Sequence, residues 1–160
     1  MTGSGEITRP YGNTLRIRAQ VLATGGRRLT GYLHLQQHAP SHAGPESPED
    51  LLARPGGFFP LTDEQGRTVF ICKDQVLAIS TDPETTFTDP DRRSAARSLR
   101  IRVELSDGTE FAGLVALEMP PDRPRPLDFL NESRGFFALA EPDAIRYLNR
   151  QHLRVVTPSD

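Results

Sequence analysis

The fold is decided by residues 99–118, LRIRVELSDGTEFAGLVALE. Apolar residues take every second position from 99 to 105 with charged residues between them, which predicts a half-buried β-strand. Asp107-Gly108 favours a tight turn, because this pair readily adopts positive φ. Residues 110–118 predict a second strand, and Gly113 in its middle predicts a bend or bulge where the sheet curls. The stretch therefore predicts a β-hairpin whose second strand is bent.

The hairpin and the segments that follow it occur twice in the chain. Five blocks recur in the same order: 15–18 with 99–102, 30–35 with 112–117, 48–52 with 126–130, 57–61 with 135–139 and 71–76 with 148–153. A matching order at similar spacing predicts an internal duplication. We therefore expect the copies to superpose strand for strand. The expected matches are Leu15 with Leu99, Gly31 with Gly113 and Phe59 with Phe137.

The repeat divides the chain into four segments. We predict a disordered arm over 1–13, a first copy over 14–82, a linker over 83–97 and a second copy over 98–160. The linker is predicted because this stretch is polar and contains two prolines.

Each copy is predicted to contain five short strands and one short helix. In the second copy the helix covers 126–131, and the remaining strands cover 135–139, 144–148 and 152–157. In the first copy Ser47 is placed to cap the helix, since a proline follows it. Five strands with a curled second strand predict a small barrel of the SH3-like or Sm-like type, because closing a sheet removes exposed edges. The expected fold is mainly β, with two tandem five-stranded barrels.

Two motifs resemble the Sm/LSm family of small barrels. The run Val103-x-Leu105-x-Asp107-Gly108-x-x-Phe111-x-Gly113 resembles that family's first two strands, and Asn149-Arg150-Gln151-His152-Leu153-x-Val155 is similar to its final turn and strand. The resemblance implies the barrel fold, and RNA binding through an Asp/Asn pair directly after strand two. In this chain the pair comes late, as Asp128 and Asn131, and the first copy has Asp50 and Arg54. The tandem pattern also resembles uncharacterised bacterial proteins, which imply no function.

The charge balance argues against nucleic acid or membrane as the main partner. The 160 residues include 19 basic and 21 acidic side chains, a formal net charge of -2. Proteins that coat nucleic acid or anionic membranes draw their affinity from a clear basic excess. The single cysteine, Cys72, cannot form an internal disulfide, and no apolar run approaches membrane-spanning length. We therefore expect a cytoplasmic protein. Its preference for Arg over Lys is typical of GC-rich bacterial genomes.

The sequence lacks the familiar catalytic and cofactor motifs. It contains no phosphate-binding glycine loop, no dinucleotide-binding glycine motif and no H-E-x-x-H. His34, His38 and His42 are spaced by four, but the prolines in 36–45 predict a loop, where this spacing does not bring the rings together. Cys72 has no paired base in the sequence, so a buried or edge thiol is expected. We predict no metal site, no cofactor and no enzymatic activity.

Arginines on the first strand of each copy are candidate ligand-binding residues. They are Arg16, Arg18, Arg100 and Arg102. Outward-facing guanidinium groups can bind phosphate or carboxylate through paired hydrogen bonds. The alternative is an ordinary solvated strand face beside acidic neighbours, which discourages edge pairing. Arg93-x-x-x-Arg97 is also similar to the Arg motif of PilZ domains, which implies a cyclic dinucleotide, but Thr109 replaces that family's Ser and Gly113 falls one residue late.

Each copy carries a Phe pair on its predicted third strand, Phe58-Phe59 and Phe136-Phe137. Because neighbouring residues of a strand face opposite sides, only one ring of each pair can enter its own core. We expect the spare rings to pack between the copies. The alternatives are packing beneath the helix and a partner-binding surface. The alternation alone does not decide which ring of each pair faces outward; Phe58 and Phe136 are our candidate partner contacts.

The sequence favours a non-enzymatic protein-interaction or adaptor module. Its expected partner is a protein, with no membrane contact and with self-association left open. The alternative is an RNA or nucleotide-ligand binder that acts through the first-strand arginines. Added salt separates the two, because phosphate contacts weaken steeply with salt whereas an apolar protein interface does not.

Overall fold

The fold consists of ten strands and two short helices in a computed structural model that describes residues 14–39, 43–83, 97–117, 126–132 and 135–159. The strands are β1 Thr14–Ala23, β2 Arg27–Gln36, β3 Phe58–Thr62, β4 Thr68–Cys72, β5 Val76–Thr81, β6 Arg97–Leu105, β7 Glu110–Leu117, β8 Phe136–Ala140, β9 Ile145–Asn149 and β10 Leu153–Ser159. The helices are α1 Pro48–Ala53 and α2 Pro126–Glu132. The predicted arm 1–13 and most of the predicted linker lie outside the described residues.

The strands form one open antiparallel sheet in the order β10-β6-β7-β8-β9-β5-β1-β2-β3-β4. The mainly β class is confirmed. The structure shows this open sheet and not the two closed five-stranded barrels that we expected, because β5 of the first copy pairs with β9 of the second and not with β4 of its own copy. Strand β5, which in a closed barrel would pair with β4, therefore joins the two copies. Within the described residues no helix has the length and apolar character needed to cross a membrane.

The two copies share one topology. Strands β5-β1-β2-β3-β4 follow the same order as β10-β6-β7-β8-β9. In each copy a single residue pair joins the second strand to the third, Tyr32 with Thr62 and Leu114 with Ala140. The preceding glycines allow this approach: a Cβ would lie 2.5 Å from the Thr62 carbonyl oxygen at Gly31, and 2.4 Å from that of Ala140 at Gly113. The predicted match of the two glycines is confirmed by this shared contact, whereas the register of β7 against β6 shows no bulge at Gly113.

The predicted match of Leu15 with Leu99 is wrong by two residues. Gly31 pairs with Ala19 whereas Gly113 pairs with Ile101, so Ala19 corresponds to Ile101 and Arg18 to Arg100. The identical L-R-I-R stretches, 15–18 and 99–102, are therefore offset by two residues within their copies. A shift of two leaves every side chain on the same face of a strand, so the alternation itself cannot detect the error.

Local signals place the remaining elements as predicted. Ile17 and Ile101 are buried, and the arginines beside them are exposed. Helix α1 begins with a capping box, in which the Ser47 hydroxyl accepts a hydrogen bond from the Asp50 amide and the Asp50 carboxylate accepts one from the Ser47 amide. Alternating apolar residues and the helix cap thus determine the strands and the helix within each unit.

The apolar core divides into two clusters, and each contains residues from both copies. Ile145 and Tyr147 of the second copy join the first copy's cluster. Leu22, Leu77 and Ala78 of the first copy join the second copy's cluster. The copies are therefore docked against each other through shared apolar packing.

Candidate interaction surface

The junction between β5 and β9 shows how one copy binds another. Ala78 pairs with Leu148, and Ile79 pairs with Tyr147. Tyr147 is only 3% exposed, and its ring packs in the first copy's core. Burial raises the pKa of the Tyr147 hydroxyl, and the carboxylates at the start of α1 raise it further. A strand edge and one inserted aromatic side chain therefore form this internal junction.

Polar side chains fix the position of the junction. Asn149 Nδ2 donates to the carbonyl oxygens of Lys73 at 3.2 Å and Val76 at 2.9 Å. Arg146 Nη1 donates to Ser80 Oγ at 2.7 Å. His152 Nε2 lies 2.6 Å from the Asp74 carbonyl oxygen. The bonds from Asn149 and His152 satisfy backbone carbonyls at or beside the turn before β5, and together with the Arg146 bond they hold the two edges in one register.

Strand β4 is the first copy's counterpart of β9. The pairings of β3 with β4 and of β8 with β9 make Phe70 equivalent to Tyr147, and Ile71 equivalent to Leu148. Within the described residues, β4 pairs with β3 alone and forms an edge of the sheet. Phe70 is 65% exposed and Val69 43% exposed. An aromatic ring that is buried in one copy thus stands in solvent in the other.

Strand β10 is the second copy's counterpart of β5. Both strands show a register shift at the same position, which makes Val155 equivalent to Ala78 and Val156 equivalent to Ile79. In the part of the chain that the structure describes, β10 pairs with β6 alone. Val155 is 50% exposed, whereas Ala78 is 2% exposed. The sheet therefore ends in two open edges that correspond to the two sides of its own internal junction.

A shallow apolar pocket lies in the second copy beside β10. It is lined by Leu99, Ile101, Val115, Pro126, Phe129, Leu130 and Val156, and it is open to solvent, with room for about one water molecule. Six of these positions correspond to members of the core cluster around Tyr147. The first-copy equivalents are Ile17, Ala19, Leu33, Leu51, Leu52 and Ile79. The pocket therefore lies at the second copy's counterpart of the Tyr147 site, and among the described strands none pairs with the outer edge of β10 to cover it.

The candidate arginines do not form one site. Arg18 donates to Glu64 at 2.6 Å, and Arg102 lies 3.8 Å from Glu110. Four strands separate β1 from β6, so the two groups of arginines lie apart on the sheet. Only Arg18 and Arg100 occupy equivalent positions, because the repeat is shifted by two residues. The ion pairs of Arg18 and Arg102, and the distance between β1 and β6, both disfavour binding of one phosphate group by all four arginines.

The two candidate Phe residues have different environments. Phe58 is 63% exposed, whereas Phe136 is half-buried and packs against the first copy's core. Their neighbours Phe59 and Phe137 are both buried in their own copies. The spare rings therefore do not meet each other, in contrast to our expectation. One packs across the internal junction, and the other lies beside the open edge β4.

Sequence reasoning missed Phe70 and Val155, the apolar residues on the two open edges. A signal for Phe70 was present: β4 reads TVFIC, with three consecutive apolar residues where a half-buried strand would alternate. Such a run indicates a strand covered on both faces. The remaining chemistry-bearing residues do not alter the picture.

His34 lies in β2, where its Nε2 is 2.7 Å from Thr62 Oγ1, and burial lowers its pKa, as does the charge of Arg16. Cys72 is half-buried. The described residues contain no group of three metal-ligating side chains. His42, Arg93 and the Arg97 side chain lie outside the described part of the chain.

Comparison of the chain with family models, curated proteins and solved structures finds no match.

Proposed function

We propose that the chain is a non-enzymatic protein-interaction module built from two small Sm-like or SH3-like units. The observation that carries this proposal is the open edge β4, where Phe70 is exposed on the same face as Phe58, and Val69 is exposed on the opposite face. Monomeric proteins blunt such edges with charges, prolines or covering loops. Exposed aromatic residues beside unpaired strand groups favour binding of another polypeptide, through added strand pairing and side-chain burial.

The internal junction supports the same function. There the equivalent edge β9 binds β5, buries Tyr147 and is held by hydrogen bonds from Asn149. A protein partner that supplies a strand to β4 would use the same combination of contacts. Cys72, the only cysteine, suits a reducing compartment such as a bacterial cytoplasm, and this location is part of the proposal.

Phe70→Asp tests the proposal. Full-length tagged protein is incubated with an extract of the source cells, alongside Phe70→Asp and the control Leu114→Asp. Leu114 is 37% exposed and lies on β7, inside the sheet, so its substitution adds a charge away from both open edges. We expect wild type and the control to retain the same proteins, and Phe70→Asp to lose them. Retention of an identical set by all three would contradict the proposal.

A second candidate is binding of RNA or a nucleotide ligand through the first-strand arginines. It is favoured by the exposure of Arg16 and Arg100, which have no ion-pair partner among the described residues. Replacing both by alanine is expected to weaken such binding and to reduce its salt dependence. Binding of labelled single-stranded RNA that is insensitive to salt would argue against this candidate.

A further inference from the structure

We propose that the hairpin formed by β3 and β4 is released from β2 when His34 takes up a proton, so that the candidate interaction surface loses its fixed geometry in acid. The hairpin covers residues 58–72 and carries the exposed rings of Phe58 and Phe70. The consequence for binding rests on the proposed function, since it concerns regulation of the same edge. The movement itself belongs to the chain alone and is measured without a partner.

The hairpin is joined to the rest of the sheet by little backbone pairing. Its two strands share five residue pairs with each other, whereas one pair, Tyr32 with Thr62, joins β3 to β2. The matching hairpin of the second copy also has one pair to β7, but β5 holds its outer strand β9. Among the described strands, none pairs with the outer edge of β4. Attachment of the β3–β4 hairpin therefore depends on its side chains.

A chain of polar side chains runs from β1 across β2 to the hairpin. His34 Nε2 lies 2.7 Å from Thr62 Oγ1, and Thr62 Oγ1 lies 2.8 Å from Thr68 Oγ1 on β4. On the other side of the ring, His34 Nδ1 lies 3.4 Å from Thr14 Oγ1 on β1. His34 is 5% exposed and Thr62 is 4% exposed. Because buried polar groups need their partners, these contacts fix the hairpin against β2.

The second copy has apolar residues at the three central positions of this polar chain. Its equivalents of His34, Thr62 and Thr68 are Ala116, Ala140 and Ile145. The copy whose hairpin is held by β5 thus lacks the histidine, whereas the copy with the open edge has it. The titratable contact therefore occurs where loosening of a hairpin changes an exposed surface.

The surroundings of His34 favour its neutral form. The titratable and charged groups on the strands and the turn around it are Arg16, Arg18, Tyr32, Asp63, Glu64 and Arg67. Arg16 is directly opposite His34 in the register, and its charge repels an imidazolium. The two carboxylates of the turn after β3 already have partners, Glu64 with Arg18 at 2.6 Å and Asp63 with Arg67 at 3.3 Å. Burial, and then the charge of Arg16, lower the pKa of His34.

Protonation of His34 places a cation in a site that is almost closed to water. Movement of the hairpin is the less costly way to hydrate it, because ten residue pairs join β1 to β2 and one joins β2 to β3. In the open form the imidazole regains its ordinary pKa of about 6.5 and so binds the proton more tightly. The open fraction should therefore increase as pH falls through that value, and should level off once the closed form is protonated as well.

Hydrogen exchange of the full chain, followed by mass spectrometry at about pH 7.5 and about pH 5.5, tests the inference. After correction for the intrinsic pH dependence of exchange, the amides of β3 and β4 should lose protection by about threefold or more at the lower pH, while those of β1 and β2 keep theirs. His34→Gln keeps a neutral hydrogen-bonding group and should abolish the change. His38→Gln alters an exposed histidine and should behave as wild type.

Thr62→Val tests the polar contact apart from titration. Valine keeps the shape of the threonine side chain but removes the hydroxyl that lies between His34 and Thr68. The hairpin amides should then exchange faster than in wild type already at about pH 7.5, because a buried ring nitrogen loses its partner. Thr30→Val, at an exposed position of β2, is the matched control and should leave exchange unchanged. Thermal melts confirm that each variant folds.

Three results would overturn the inference: equal protection of the hairpin at both pH values, loss of protection that persists in His34→Gln, or loss confined to β1 and the end of β2. The extract experiment, repeated at both pH values, separates this failure from failure of the proposed function. A hairpin insensitive to pH, together with captured proteins that are lost in Phe70→Asp, removes the pH device and keeps the surface. A hairpin that loosens without any change in capture confirms the movement and contradicts the role of β4 in binding.

Discussion

Strands β4 and β9 occupy the same place in the two copies, but their surroundings differ. Tyr147 on β9 is buried in the first copy's core, whereas its equivalent Phe70 on β4 is among the most exposed large apolar residues. Both strands keep apolar residues on the side that faces away from their own unit. The comparison teaches that this side is suited to packing against a neighbouring unit. The chain supplies that unit for β9, whereas β4 has no such neighbour among the described strands.

The largest expected effect tests whether the two units share their stability. Ile17→Asp and Ile101→Asp each place an unpaired charge among buried residues, and either should unfold the whole chain, because each core includes residues of the other copy. Circular dichroism should show one cooperative melt for wild type and its loss in both variants. The controls Arg16→Ala and Arg100→Ala remove exposed side chains and should change stability little. Melting of one half while the other stays folded would contradict shared cores.

Truncation of the two equivalent rings tests the comparison directly. Tyr147→Ala should lower the free energy of unfolding by about 3–5 kcal/mol, since it leaves a cavity in a packed core. Phe70→Ala should change the stability of the dilute chain by less than about 0.5 kcal/mol, because its ring is in solvent. Chemical denaturation of both variants provides the measurement. Equal losses would mean that β4 is already covered within one molecule.

The smallest expected effect concerns pH and a residue present in one copy only. His34 corresponds to Ala116 and has a lowered pKa in the folded chain, chiefly through burial. Protonation therefore favours the unfolded state. Stability should be complete above the ordinary histidine pKa of about 6.5, fall as pH drops through that value, and level off below the folded pKa. His34→Ala should flatten this part of the stability profile in thermal melts, and an unchanged slope would assign it to other groups.

Much of the fold could be predicted because its signals are local. Alternating apolar residues and turn residues placed most strands of the second copy within about two residues, and the helix start at Pro48 followed from Ser47. The open sheet could not be predicted, because pairing of β5 with β9 joins residues such as Ile79 and Tyr147 that are distant in sequence. The L-R-I-R repeat even favoured a wrong alignment that period-two alternation cannot reveal.

The candidate surface was predicted less completely. Phe58 was a candidate, but the argument came from a Phe pair and not from the edge that exposes it. Phe70 and Val155 became candidates only when the sheet order identified β4 and β10 as open edges. An apolar residue in a strand looks the same in sequence whether its neighbour is the same unit, the other unit or another molecule.

The covalent link between the copies separates two kinds of association. Pairing of β5 with β9 is intramolecular, so the second unit is always present at a high effective concentration, and dilution does not dissociate it. Edges β4 and β10 have no such tether, and their occupancy follows mass action. A cell could therefore adjust what sits on these edges through the amount of protein it makes, while each molecule keeps its own two halves together.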